Sequence, residues 1–158
     1  MNSKKYELTD ETITVNGHKL CRIRALVGFD LARGRVTINP GDLGGFVERE
    51  TNLSHSGKCW ISGNARVFND AQIYGDAWVT GIARVFGNAR IYGSANIEHY
   101  ALVHDNARVY GNAIVRYDAE VYGNAQVYGN AKVLGDGSVY GDMCICGNDV
   151  IGTVCFLF

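Results

Sequence analysis

Four histidines are the residues of this chain that could do acid–base chemistry near neutral pH, because an unperturbed imidazole titrates there. His18 and His55 lie outside the repetitive part of the sequence, whereas His99 and His104 lie within it. His99 belongs to a small group of neighbouring residues that break the repeat. We call this group the irregular patch, and its members are Glu98, His99, Tyr100, Arg116 and Tyr117.

The residue types of the irregular patch allow two interpretations. Exposed corners of a repeat tolerate substitution, and Glu98 with Arg116 would then be a surface ion pair worth under about 1 kcal/mol. Alternatively, the patch binds a partner, and we expect such a binding site to use Tyr100, Arg116, Tyr117 and His104. His104 also has a simpler interpretation as one more flat ring in a row of aromatic residues.

A six-residue repeat positions these side chains, and it runs from Gly57 to Gly152 without an insertion. The fifth position is Val or Ile in all sixteen hexads, and the third is Ala in twelve consecutive hexads, from Ala65 to Ala131. Gly followed by Asn or Asp usually opens each hexad and supplies the backbone conformations of a corner. This period predicts an all-β chain, a parallel β-helix in which three hexads close a triangular coil. Sixteen hexads predict a little over five coils.

Outward residues eighteen apart should stack in such a helix, so the sixth positions of the hexads sort into three columns. One column contains no aromatic residue and includes Glu98 and Arg116. The other two columns are aromatic ladders, which we interpret either as stiffening stacks or as interfaces for a partner. The ladders are Tyr74, Tyr92, Tyr110 and Tyr128 on one face, and Phe68, Phe86, His104, Tyr122 and Tyr140 on the next.

The first part of the chain does not follow the hexad. Residues 1–46 are expected to form an N-terminal capping segment with a β-hairpin that turns at Asn16–Gly17. Residues 29–33 are expected to be a short helical turn or loop, and residues 39–42 a turn. Residues 47–158 are expected to form the β-helix, whose open first edge the hairpin would protect from chain-to-chain pairing.

Composition narrows the function classes. The formal net charge is −1, from 15 basic and 16 acidic residues, so no polycationic surface for nucleic acid is expected. No apolar run reaches the length of a membrane span, and we expect a cytoplasmic protein without a membrane partner. The five cysteines form no CxxC pair, which disfavours a metal site, and no cofactor is expected from the residues themselves.

A resemblance covers nearly the whole chain. The stretch GGFVERETNLSHSGKCWISGNARVFNDAQIYGDA, Gly44 to Ala77, preceded by KYELTDE, is similar to the N-terminal module of the YdcK-like transferase-hexapeptide proteins of bacteria and phages. This resemblance implies that the β-helix is left-handed. The family's acyltransferase label rests on its repeat, so it is an analogy of fold.

A second, local resemblance concerns His99. The segment IEHYALV, Ile97 to Val103, resembles the segment around the catalytic base of hexapeptide sugar O- and N-acetyltransferases. It implies that His99 is a general base, that Glu98 orients the imidazole, and that acetyl-CoA is the acyl donor, held between subunits. Tyr100 stands where those enzymes have an acidic residue.

The function expected from the sequence is a non-catalytic repeat scaffold that binds a protein partner or self-associates, as a trimer or dimer, through aromatic outer faces. Sixteen hexads without an inserted loop leave nothing obvious to wall an acyl-donor pocket. One alternative is the acyl-CoA-dependent acetyltransferase with His99 as base. Another is a phage or mobile-element protein that sequesters a host protein or small molecule.

Overall fold

The structure is a computed structural model that describes residues 3–31 and 34–152. Five strands precede the repeat: β1 (Tyr6–Val15), β2 (His18–Ala25), β3 (Phe29–Leu31), β4 (Val36–Ile38) and β5 (Leu43–Val47). β1 and β2 pair antiparallel across a turn at Asn16 and Gly17, where both residues have positive φ angles. A short 3-10 helix, Glu50–Asn52, leads from β5 towards the repeat.

Each hexad of the repeat forms one two-residue strand and one corner. The strands are β6 (Trp60–Ile61), β7 (Arg66–Val67), β8 (Gln72–Ile73), β9 (Trp78–Val79), β10 (Arg84–Val85), β11 (Arg90–Ile91), β12 (Asn96–Ile97), β13 (Leu102–Val103), β14 (Arg108–Val109), β15 (Ile114–Val115), β16 (Glu120–Val121), β17 (Gln126–Val127), β18 (Lys132–Val133), β19 (Ser138–Val139), β20 (Cys144–Ile145) and β21 (Val150–Ile151).

Strands three apart in sequence stack in parallel and build three faces. Face 1 contains β6, β9, β12, β15, β18 and β21, and face 3 contains β8, β11, β14, β17 and β20. Face 2 contains β7, β10, β13, β16 and β19, and β5, β2 and β1 extend its sheet. The chain is therefore an all-β parallel solenoid of about six eighteen-residue coils, which confirms the fold that the hexad repeat predicted. The repeat alone predicted a little over five coils, and β5 and Leu53 add a coil before Gly57 by pairing with β7 and Ile73.

The core is a stack of the inward third and fifth positions. The third-position alanines from Ala65 to Ala131 and the fifth-position valines and isoleucines from Ile61 to Val139 are at most 1% exposed. Burial of each β-branched side chain contributes about 1.5–3 kcal/mol to folding. This continuous apolar column is why every outward residue stays in a fixed register with residues eighteen positions away.

The corners repeat one backbone conformation. The first residue of each hexad has a positive φ, for example 67° at Gly111 and Gly129. A Cβ at Gly111 would lie 2.9 Å from the backbone nitrogen of Gly129, so glycine is the residue that fits best. On the corner between faces 2 and 3, three side-chain amides and a carboxylate form a hydrogen-bonded ladder, which we call the amide ladder. Each donor lies 3.2–3.3 Å from its acceptor along Asn88, Asn106, Asn124 and Asp142.

The N-terminal segment is anchored to the first coil by buried polar groups. Lys5 is 4% exposed, and its ammonium donates to the Cys59 carbonyl oxygen at 2.6 Å. The Tyr6 hydroxyl donates to the Leu53 carbonyl oxygen at 2.6 Å, and burial raises the pKa of this phenol. Because desolvation opposes its charged form, the pKa of Lys5 is lowered.

The interpretation of residues 29–33 as a helical turn or loop was wrong for Phe29–Leu31, which form β3; residues 32 and 33 lie outside the described residues. β3 pairs antiparallel with β4, and we call this hairpin the arm. Phe29 packs edge-on against Trp60 with ring centroids 5.3 Å apart, so the arm is fixed to face 1. Among the described residues, no helix is long and apolar enough to span a membrane.

Candidate functional site

The irregular patch lies on the corner between faces 1 and 2, which we call corner 1. His99 and Tyr100 follow β12, and Tyr117 follows β15 one coil further along. Glu98 and Arg116 occupy the last outward position before the corner in the same two coils. The structure therefore brings all five predicted residues of the patch to one place.

His99 and Tyr117 occupy corner positions that the rest of the repeat mostly gives to glycine. Their φ angles are 60° and 64°, in the left-handed region where a side chain costs about 1–2 kcal/mol. The corner is also crowded, since a Cβ on Gly81 would lie 2.9 Å from the His99 nitrogen. Asn69 and Asp105 hold the same conformation elsewhere in the repeat, but Asn and Asp tolerate it better than the aromatic side chains of His99 and Tyr117 do.

Three large apolar side chains project from corner 1 in three successive coils. Ile82 is 39% exposed, Tyr100 is 60% exposed and Tyr117 is 45% exposed. The His99 ring stacks on Tyr117, with centroids 4.6 Å apart and 27° between the planes. Corner 1 thus exposes large apolar side chains in three successive coils.

The two charges of the patch do not neutralise each other. Within the described part of the chain, Glu98 and Arg116 form no ion pair, so the interpretation as a surface ion pair was wrong. Arg116 instead leans over Tyr117, with its guanidinium carbon 5.5 Å from the ring centroid. Its Nε is buried and finds no hydrogen-bond partner among the described residues.

The distance between His99 and Glu98 and the exposure of His99 decide whether the imidazole is placed as a catalytic base. Its Nδ1 lies 4.0 Å from the Glu98 carboxylate, which is longer than a hydrogen bond, and its side chain is 47% exposed. A base oriented by a carboxylate needs a direct hydrogen bond or a bridging water. His99 is therefore placed as a surface side chain rather than as the centre of a closed catalytic site.

The aromatic ladder of face 3 is a stack of nearly parallel rings. Neighbouring centroids are 4.8 Å apart from Tyr74 to Tyr92 and from Tyr92 to Tyr110, and 5.0 Å apart from Tyr110 to Tyr128. All four rings are half-buried. Desolvation raises the pKa of Tyr74 and Tyr110, which keeps these phenols neutral. Side-by-side stacking of this kind stiffens the face and leaves mainly ring edges for a partner.

The N-terminal segment adds one more ring, His18, to the Phe68 end of the face 2 ladder. His18 packs on Phe68 with centroids 5.6 Å apart, and its Nδ1 donates to Glu48 at 2.7 Å. Although burial opposes ionisation of Glu48, hydrogen bonds from His18 and the Asn69 backbone lower the pKa of this carboxyl. The remaining stack runs through Phe68, Phe86, His104, Tyr122 and Tyr140.

His104 is held between two carboxylates. Its Nε2 is 2.7 Å from Glu120 and its Nδ1 is 3.0 Å from Asp105. A neutral imidazole has one N–H, so only the doubly protonated ring donates to both. The His104 hydrogen bond, followed by one from the Gly123 backbone, lowers the pKa of Asp105. His104 thus lies in the face 2 ladder, apart from the irregular patch with which it was grouped.

The arm creates a groove that sequence reasoning missed. The cavity measures about 530 Å³, which is within the range of small-ligand sites. It is lined by Asp30, Leu31, Gly34 and Arg35 of the arm and by Lys58, Asp76, Ser94, Asn96, Asn112 and Ile114 of the solenoid. A second cavity of about 410 Å³ lies beside His55 and Tyr74. Neither cavity is lined by a residue of the irregular patch.

Metal-binding chemistry has no cluster of ligands in residues 3–31 and 34–152. Within them, no group of three or more His, Cys, Asp or Glu side chains is placed to hold a metal ion. Cys59 is fully buried, with its sulfur 3.3 Å from the Lys5 ammonium, and burial raises the pKa of its thiol. Cys144 is exposed at the far end of face 3.

Two segments of the repeat match a known family model. Residues 83–100 and 125–141 match the family described as YdcK Beta solenoid repeat. The first matched segment ends with Glu98, His99 and Tyr100 of the irregular patch. No curated protein has significant sequence similarity to the chain. The stacked eighteen-residue coils show that the chain is a β-solenoid, and the two matched segments within it are similar to the YdcK repeat.

Proposed function

We propose that the protein is a non-catalytic scaffold that docks onto a protein partner through corner 1. The observation that carries this proposal is the exposure of Ile82, Tyr100 and Tyr117 in three consecutive coils of one corner. Interface cores are enriched in aromatic residues and arginine, and this corner has two tyrosines beside Arg116.

Rigidity supports the proposal. The side chains of corner 1 stand on strands whose inward residues are fully buried, and the ladder of face 2 flanks the corner. A rigid surface loses little conformational entropy when it binds. Apart from the exposed Tyr140, the rings of the two ladders are buried or half-buried, so they are better suited to stiffening the solenoid than to being the main contact surface.

The acetyltransferase alternative has one observation in its favour, an exposed imidazole on Tyr117 with a carboxylate 4.0 Å away. An acyl donor at 100 times its dissociation constant would stabilise the fold by about 2.7 kcal/mol. A thermal shift with acetyl-CoA that disappears in His99→Ala would favour the enzyme. No shift at millimolar acetyl-CoA would favour the scaffold.

The scaffold is tested by placing a photo-crosslinking phenylalanine analogue at Tyr100 in cells that express the chain. A matched control carries the same analogue at Tyr140, which is also exposed but lies on face 2, away from corner 1. We expect a discrete protein adduct from position 100 and none from position 140. Equal adducts at both positions, or none at position 100, would contradict docking at corner 1.

A further inference from the structure

Glu98 and Arg116 are opposite charges that occupy the same outward position on neighbouring strands of face 1. β12 and β15 pair in parallel with Ile97 beside Val115, so the two charged residues that follow are one coil apart. Neither side chain forms a hydrogen bond or a close ion pair with the other among the described residues. Arg116 leans over Tyr117 and Glu98 lies 4.0 Å from His99, so neither charge is neutralised by the other within this chain.

From this arrangement we infer that the partner at corner 1 is a second copy of this chain, related by a two-fold axis perpendicular to the solenoid. This inference rests on the proposed docking function, and it names the second copy as the partner that binds corner 1. In a two-fold interface the same patch is used twice, so residue i meets residue j while j meets i. An axis midway between the two coils places Glu98 of each protomer level with Arg116 of the other.

The same axis matches the other side chains of the corner. His99 of one protomer lies level with Tyr117 of its partner, which gives ring-to-ring contact across the axis. Tyr100, which is 60% exposed, lies level with Asp118 of the partner, an exposed carboxylate that could accept its hydroxyl proton in a hydrogen bond. The patch is thus complementary to itself only in the antiparallel orientation.

A parallel dimer at corner 1 is disfavoured by the charges of Glu98 and Arg116. An axis along the solenoid keeps every residue at the height of its own copy, so at corner 1 Glu98 would lie level with Glu98 and Arg116 level with Arg116 of the partner. Like charges brought together at an interface weaken association. The charge pattern therefore selects a side-by-side antiparallel dimer over a parallel pair at this corner.

The test is a charge exchange followed by sedimentation velocity over a wide range of protein concentrations. Glu98→Arg alone and Arg116→Glu alone each create a like-charge contact, and we expect each to weaken dimerisation about tenfold or more. The double variant Glu98→Arg/Arg116→Glu restores the complementary pairs and should dimerise as the natural protein does. Arg108→Glu, an exposed charge change on face 3, should leave the dimer unchanged.

Circular dichroism and thermal unfolding confirm that each variant is folded before its association is compared. Dimers that are equally stable in all variants would overturn the assigned axis. A natural protein that remains monomeric at every concentration would overturn the second copy as the occupant. In that case an adduct of a different mass at position 100 would leave the docking function standing, whereas the absence of any adduct would remove both.

Discussion

His99 and Tyr117 stack on each other at 4.6 Å while both hold the left-handed backbone conformation that this repeat otherwise gives mainly to glycine. The stacking of two rings is worth about 0.5–1.5 kcal/mol. The two left-handed backbones together cost more than this, at about 1–2 kcal/mol each. The backbone cost of the pair therefore exceeds the stacking free energy, so the two side chains lower the free energy of unfolding.

Replacement of the strained residues by glycine should stabilise the fold. We expect His99→Gly/Tyr117→Gly to raise the free energy of unfolding by about 1–2 kcal/mol, because the released strain exceeds the lost stacking. Chemical denaturation measures the change. The opposite substitution, Gly111→Ala, should destabilise by about 1–3 kcal/mol, since its φ is 67° and its Cβ would crowd Gly129. A double variant less stable than the natural protein would contradict this account.

Acid stability should depend on Asp105. Its folded pKa lies below the ordinary value of 3.8, so its contribution to stability is present above that value and is lost as pH falls through the folded pKa. Asp105→Asn keeps an oxygen for the Gly123 N–H but does not titrate. We expect the stability advantage of the natural protein over this variant to shrink as the pH falls from about 6 to about 2. The effect should be under about 1 kcal/mol because Asp105 is half-exposed.

His104→Phe provides the matched control for this titration. The phenyl ring keeps the stack between Phe86 and Tyr122 but removes the hydrogen bond that is the largest cause of the low Asp105 pKa. The thermal unfolding of His104→Phe should therefore depend on pH less than that of the natural protein, as expected for Asp105→Asn. A variant that retained the full acid sensitivity of the natural protein would show that other carboxylates are responsible.

Lys5 should be a strong anchor of the N-terminal segment despite its charge. Lys5→Met keeps an apolar stem but leaves the Cys59 carbonyl oxygen without its donor, and we expect a loss of about 1–3 kcal/mol. Hydrogen exchange should show the loss as faster opening of β1 and of the first coil. Lys4→Met, which removes an exposed contact to Glu50, should cost under about 1 kcal/mol. Equal losses for both variants would contradict the role of burial.

The arm should depend on Phe29. We expect Phe29→Ala to release β3 and β4 from Trp60, with faster hydrogen exchange in both strands and little change in the coils beyond β9. The stability cost should be at or below about 3 kcal/mol, the lower part of the range for removal of an aromatic side chain, since Phe29 is only partly buried. Uniformly faster exchange along the solenoid would mean that the arm is part of the core.

The repeat made most of the fold predictable, because a β-branched residue at the fifth position of every hexad allows one inward face and one register. The position of His99 beside Tyr117 followed from their spacing of eighteen. The arm was not predictable, since Phe29–Leu31 is too short to show a strand period and is held by its contact with Trp60. The separation of Glu98 from Arg116 was also missed, because the sequence gives their spacing but not the lean of Arg116 onto Tyr117.

The amide ladder from Asn88 to Asp142 links residues that are always eighteen positions apart. Deletion of a single residue from any coil would shift every later side chain by one place, turning valines outward and moving each amide off its neighbour. Removal or duplication of a block of eighteen residues would leave every column in register. The length of this protein can therefore change in whole coils far more readily than in single residues, and a longer version would extend its three faces without altering their chemistry.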